Sequence, residues 1–125
     1  MSNNRSAKDI MTKEVFAVNL ESNINCAEIC AEAWHIRHVP VTDGKGRLVG
    51  MISTRDILEH ITRTPSGQFT PVKEIMSEDP LVVAPTTSLA EIADLMRRHN
   101  IGAVPVVENQ HLVGIVSERD FLKLI

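Results

Sequence analysis

The chain states one sentence twice, and that constrains its fold more than any other feature. "KDIMTKEVFAV" at 8–18 aligns with "KEIMSEDPLVV" at 73–83, and "IRHVPVTD" at 36–43 aligns with "IGAVPVVE" at 101–108. Both alignments keep a spacing of 65 residues, seen as Ile10 with Ile75 and Pro40 with Pro105. "LVGMISTRDIL" at 48–58 then matches "LVGIVSERDFL" at 112–122, at a spacing of 64. One residue has been lost where "GKGR" (44–47) faces "NQH" (109–111). Inside a strand such a loss would turn every later side chain to the wrong face. The gap therefore marks an exposed hairpin turn with a strand on either side.

Each half reads as β-α-β-β-α, so the expected class is α+β. "VFAV" and "LVV" are short strands, and "NINCAEICAEAWH" (23–35) and "SLAEIADLMRRH" (88–99) are helices. In the second helix Leu89, Ile92, Ala93 and Met96 keep the i, i+3, i+4, i+7 spacing of a buried stripe. Ser88 with Glu91 spells a capping box. "HVPVT" and "AVPVV", then "RLVGMIS" and "HLVGIVS", form the hairpins, and a closing helix starts at each Ser. The expected organisation is a first repeat over 1–61 with a tail at 1–7, a linker at 62–71 marked by Pro65, Gly67 and Pro71, and a second repeat over 72–125. One sheet with one helical layer leaves apolar sheet surface bare, so the halves are expected to pack sheet to sheet as a pseudo-two-fold pair.

Composition excludes several functions. The 125 residues suffice for one core of ordinary size, and the net charge of −3 comes with scattered Lys and Arg. A nucleic-acid surface needs a basic face, and none is present. No apolar run nears the roughly 20 residues that span a bilayer. The start "MSNNRSAKDIM" lacks the apolar region of a secretory signal, so the expected compartment is the cytoplasm. Cys26 and Cys30, one helical turn apart, are expected as small core thiols and not metal ligands. No P-loop, G-x-G-x-x-G or H-E-x-x-H is present, so the chain is not expected to be an enzyme.

The repeated Ser-x-Arg-Asp, Ser53 to Asp56 and Ser117 to Asp120, has two readings. In one, Ser and Asp form a capping box worth about 1 kcal/mol, with no ligand. In the other, the strand-to-helix turn offers free amides and a positive dipole end to a phosphate, while the acid accepts both hydroxyls of a ribose. Gly50 and Gly114 would then allow close approach of the ligand. Both readings stand on the residues alone.

The ordered set "DIM(T/S)", helix, "hxhPV", "LVGhhSxRD", given twice, resembles a tandem pair of CBS domains, the Bateman module. The resemblance covers the chain from about Lys8 to Ile125. It implies a regulatory sensor of adenosyl ligands (AMP, ADP, ATP or S-adenosylmethionine) that requires no cofactor or metal. In that pattern the acid holds the ribose, Ser sits near ribose or phosphate, and the "hxhP" strand encloses the adenine. Carried over in crossed form, one site joins Ser117, Arg119 and Asp120 to Thr12, Val15, His38, Val39 and Pro40. The other joins Ser53, Arg55 and Asp56 to Ser77, Ala103, Val104 and Pro105. An uncrossed arrangement redistributes the same residues. The first repeat departs from the small "IGAVP" pattern with "IRHVP", where Arg37 and His38 either read phosphate or fill the site. Crossed pairing also gathers Lys13, Arg37, His38 and Arg119 about Asp120, which predicts two unequal sites.

The implied partners are an adenosyl small molecule, a second copy of the chain, and an unidentified enzyme or transporter under regulation, with neither nucleic acid nor membrane. On the first helix, Ile24, Ala27, Ala31 and Trp34 are expected to cover the sheet. Cys26, Ile29 and Ala33 lack a partner and are expected to meet a second chain. The competing readings are a ligand-free dimeric scaffold and a small metal-binding stress protein.

Overall fold

Strand pairing follows the repeat, with one exchange of segments. The computed structural model describes residues 4–13 and 15–125. Residues 1–3 of the expected tail, and Glu14, lie outside the described residues. The chain divides into one unit of Phe16–Pro80 and another that joins the N-terminal segment, ending at Val15, to Leu81–Ile125.

In the first unit four strands pair in the order β1 (Val18–Asn19), β2 (His38–Thr42), β3 (Leu48–Ser53), β4 (Ser77–Glu78). β1 runs parallel to β2, and the other pairs are antiparallel. Helices α2 (Ile24–Trp34) and α3 (Thr54–Arg63) belong to this unit. In the second unit β5 (Ala103–Glu108) and β6 (His111–Ser117) form a hairpin, accompanied by α4 (Leu89–His99) and α5 (Glu118–Leu122). Single bridges extend that hairpin: Val83 parallel to Val106, and Thr12 antiparallel to Ile115. These are the repeat equivalents of β1 on β2 and of Ser77 on Met51. The N-terminal segment thus does for the second repeat what residues 77–78 do for the first. It also forms α1 (Ala7–Ile10). Ser6 and Ala7, placed in the tail by sequence, are buried.

Local chemistry accounts for the ends of these elements. α2 and α4 both stop at a left-handed residue, His35 and Asn100. Ser88 accepts from the Glu91 amide at 3.2 Å, the first half of the expected box. The shorter hairpin turns on Asn109 and Gln110, both at positive φ, as a two-residue type I′ turn requires. The longer one is held by Asp43, whose carboxylate accepts from the amides of Lys45 and Arg47 and from Arg47 Nε. Those bonds, the Arg47 amide first, lower its pKa to about 2. The lost residue lies in this turn, since Thr42 pairs with Leu48 as Val107 pairs with Leu112.

The two cores are built alike. Val39, Val41 and Ile52 are fully buried in one, and Val104, Val106 and Val116 in the other. These inward residues of the hairpins alternate with half-buried ones in β3 and β6. Each fully buried Val or Ile side chain contributes about 1.5–3 kcal/mol. Ile57 of α3 and Ile92 of α4 close the helical side.

Several expectations are corrected. Of "VFAV" only Val18 is paired, with Asn19 completing the two-residue strand, and "LVV" shortens to the single bridge of Val83, between Pro80 and Pro85, which lack the amide hydrogens a longer ladder needs. Ala93 is exposed, so the buried stripe of α4 is carried by Ile92 and Met96. Cys26 is exposed and Cys30 half-buried, where burial pushes its thiol pKa up. Trp34 does not cover the sheet: it is 47% exposed and stacks on Phe16, with ring centroids 3.9 Å apart. The segment expected as a linker, 62–71, carries local structure of its own. α3 extends through its first two residues, and tight 3₁₀ turns follow at Gly67–Phe69 and Val72–Glu74. Among the described residues, no helix is long and apolar enough to cross a membrane.

Candidate functional site

Each unit brings one Ser-x-x-Asp motif to the point where a strand becomes a helix. In the second unit β6 ends at Ser117 and α5 begins. The Ser117 amide donates to Asp120 Oδ2 at 2.8 Å, and the Ser117 hydroxyl lies 3.2 Å from the same oxygen. The other oxygen, Oδ1, accepts from the Thr12 hydroxyl at 3.3 Å and lies 3.9 Å from Lys123 Nζ. Asp120 is only 4% exposed. Its carboxylate is therefore already satisfied by the protein, as the capping reading requires. Ser6 and Asp9 at the start of α1 repeat the arrangement, with the Ser6 amide donating to Asp9 Oδ2 at 2.8 Å.

The first unit uses the same letters differently. Ser53 caps α3 by accepting from the Asp56 amide at 3.1 Å. The Asp56 carboxylate makes no return bond: it is half-buried and has no hydrogen bond or ion pair among the described residues. His38 faces Ser53 across the β2–β3 pairing, and its charge interacts with those of Asp56 and Arg37. Burial is the largest influence on His38 and lowers its pKa, Arg37 lowers it further, and Asp56 pulls it up. The first unit thus offers an uncommitted carboxylate, a half-buried imidazole and the exposed Arg37 and Arg55 around one helix start.

The glycines of the motif serve the chain itself. A Cβ on Gly114 would lie 2.5 Å from Met11 Sδ and 3.1 Å from the Thr12 carbonyl oxygen. On Gly50 it would meet Met76 Sδ and the Ser77 carbonyl oxygen, both at 2.7 Å. Their freedom from a side chain admits the "IM(T/S)" segment, so the expectation of a ligand approaching there is corrected. Met11 and Met76 were not among the sequence candidates, although the repeated "IM" was the signal that could have found them.

The remaining candidates fall by unit. Thr12 and Lys13 are exposed and Val15 half-buried, in the same unit as Ser117, Arg119 and Asp120. Ser77 is exposed on β4, in the same unit as Ser53, Arg55 and Asp56. The "hxhP" strands stay with their own repeat. Ala103 pairs with Ser117 as His38 pairs with Ser53, and Val39, Pro40, Val104 and Pro105 are buried. Arg37 and His38 therefore lie in the unit of Asp56, while Lys13 and Arg119 lie in that of Asp120. Among the described residues, no group of three His, Cys, Asp or Glu side chains could hold a metal ion.

Comparison with known proteins places this geometry. The CBS domain family model matches twice, over residues 7–63 and 72–125. The CBS domain-containing protein YhcV of Bacillus subtilis is 35% identical over 115 residues, covering 92% of this chain and 81% of that protein. The CBS domain pair of protein MJ0100, solved with 5-methylthioadenosine and S-adenosyl-L-methionine, is 28% identical with a TM-score of 0.84. That match covers 98% of this chain and 96% of the other. The structure of CBSX2 with AMP is 25% identical with a TM-score of 0.85, over 96% of this chain and 95% of the other. Two repeats of one α+β plan, each placing Ser-x-x-Asp at a strand-to-helix turn, belong to the CBS domain family.

Proposed function

We propose that this chain is a regulatory module that senses an adenosyl ligand, and that the first-repeat unit holds the principal site. The observation that carries this reading is the Asp56 carboxylate, half-buried at a helix start and without a hydrogen bond among the described residues. Carboxylates so placed cost free energy unless something donates to them, and the two hydroxyls of a ribose do so. Ser53 stands beside the ribose position, and Arg37 and His38 read a phosphate or other anionic group. The ligands named in the MJ0100 and CBSX2 structures support the adenosyl class. No catalytic role or required cofactor is part of this proposal. A homodimer built on the outward face of α2, and a separate enzyme or transporter as the regulated target, complete it.

Calorimetric titration with AMP, ADP, ATP, adenosine and S-adenosylmethionine tests the reading. Saturable binding that Asp56→Asn weakens supports it, and no heat with any of the five overturns it. One observation favours the second reading, a ligand-free scaffold: Asp120 is satisfied by its own chain. The same titration separates the two.

A further inference from the structure

The repeated "IM" of the sequence seats a thioether on a glycine. A Cβ built on Gly114 would lie 2.5 Å from Met11 Sδ and 2.9 Å from Met11 Cγ. Gly114 is buried in the middle of β6, while Met11 is only half-buried. The side chain therefore rests on backbone without being sealed from solvent. Thr12, the next residue, bonds Ile115 through both backbone groups. Its amide donates to the Ile115 carbonyl at 2.8 Å, and its own carbonyl accepts from the Ile115 amide at 3.0 Å. Its hydroxyl donates to Asp120. The Met11 seat thus adjoins the residue that completes the hydrogen bonding of a buried carboxylate.

A thioether is apolar, and a mild oxidant makes it polar. In the balanced step the sulfur lone pair takes one oxygen of hydrogen peroxide, the O–O bond breaks, and the other oxygen leaves as water. Sulfur loses two electrons and the peroxide gains them. Sulfoxide reductases reverse the change with electrons from thiols. Met11 packs with Ile10 against the core of the second unit. A sulfoxide oxygen among apolar groups costs free energy unless it turns to water, and turning takes the side chain off Gly114.

The other methionines offer less. Met76 has the same seat on Gly50, but Ser77 after it makes no hydrogen bond to Asp56, so oxidation there would loosen β4 alone. Met96 is 7% exposed and belongs to the core.

We propose that Met11 is a reversible oxidation site for peroxide, and that its sulfoxide releases Thr12 from Ile115 and Asp120. Among the described residues, Asp120 Oδ1 then keeps only the 3.9 Å approach of Lys123 Nζ. The proposal is independent of any adenosyl ligand.

Graded hydrogen peroxide on the full chain tests it, followed by peptide mass spectrometry and amide hydrogen exchange. Met11 should gain one oxygen about tenfold faster than Met96. In the oxidised chain the Thr12 and Ile115 amides should exchange about tenfold faster, while those of Val104 and Val116, paired in the β5–β6 ladder, stay within about twofold. Methionine sulfoxide reductase with a dithiol should restore the original rates. Met11→Leu, with both cysteines and the other methionines intact, should be insensitive to peroxide. Met11→Gln, polar and of similar length, should exchange fast without any oxidant. Melting curves establish that each variant is folded. Oxidation of Met11 no faster than that of Met96 would overturn the proposal. So would unchanged exchange in the oxidised chain, or a Met11→Leu variant that responds to peroxide as wild type does.

Discussion

Thr12 donates its hydroxyl to Asp120 across 108 positions of sequence, at 3.3 Å, and so ties the N-terminal segment to the helix start of the second repeat. With Ser117 supplying its amide to the other oxygen, the buried Asp120 carboxylate has its donors in place. Asp56, its repeat equivalent, has none among the described residues. Identical motifs have come to different uses, one as a fastener and one as an open acceptor.

The fastener should matter without any ligand. Asp120→Ala removes the return bond of the cap and leaves the Ser117 amide unpaired, at a cost of about 1–3 kcal/mol in denaturant unfolding. Thr12→Val should cost less, about 0.5–1.5 kcal/mol, and the two changes together less than their sum. Additive effects would mean that the 3.3 Å contact carries no coupling.

The open acceptor should behave in the opposite way. Asp56→Asn keeps the backbone amide that bonds Ser53, so stability in buffer should change by no more than about 0.5 kcal/mol. Affinity for an adenosyl ligand should fall by about 1.5–3 kcal/mol, the value of hydrogen bonds to a charged group. The rise in melting temperature on adding ligand should shrink accordingly. An equal loss of stability with and without ligand would make Asp56 a structural residue.

Much of this was legible in sequence because repetition gives two independent readings of each element. The lost residue located the hairpin turn, and paired Val-Pro-Val stretches located the strands. The difference between Asp56 and Asp120 was not legible, since it depends on Thr12, 108 residues away, and on whether the carboxylate rotates back to its own cap. Cross-strand register, legible from the hairpin, puts His38 opposite Ser53 in the unit of Asp56. Trp34 escaped because helical periodicity says which face is apolar, not which apolar residue finds another partner; Phe16 supplied that partner.

Gly50 and Gly114 give a prediction in which crowding decides the sign. Gly50→Ala places a methyl 2.7 Å from the Ser77 carbonyl oxygen, a backbone atom that can move only with β4. Gly114→Ala meets Met11 Sδ at 2.5 Å and the Thr12 carbonyl oxygen at 3.1 Å. Overpacking of this kind costs about 1–3 kcal/mol. Gly114→Ala should also loosen the Thr12–Asp120 bond, so hydrogen exchange of the Thr12 and Ile115 amides, which bond across the bridge, should quicken. Unchanged exchange would show that Met11 alone absorbs the added methyl. Gly44, with nothing within 4 Å of an added Cβ, is the control.

His38 should make both stability and ligand binding depend on pH, in opposite directions. Its pKa is lowered on folding from 6.5, chiefly by burial, so the unfolded chain binds the proton more readily. Stability therefore rises with pH through this window: it is fully present above about pH 6.5 and diminishes as pH falls toward the lowered value. A bound phosphate beside Arg37 and His38 reverses the balance, since the imidazolium gains a negative partner and the complex takes up a proton. AMP affinity should then increase as pH falls from 7.5 to 6, while adenosine affinity stays nearly level. His38→Gln should flatten the stability profile below pH 6.5 and remove the rise in AMP affinity at low pH, leaving only the titration of the phosphate itself, whose second pKa is about 6, with adenosine binding retained. Calorimetry in two buffers of different ionisation enthalpy measures the proton uptake directly. If AMP and adenosine show the same pH profile, His38 does not face the phosphate, and the imidazole only fills the end of β2.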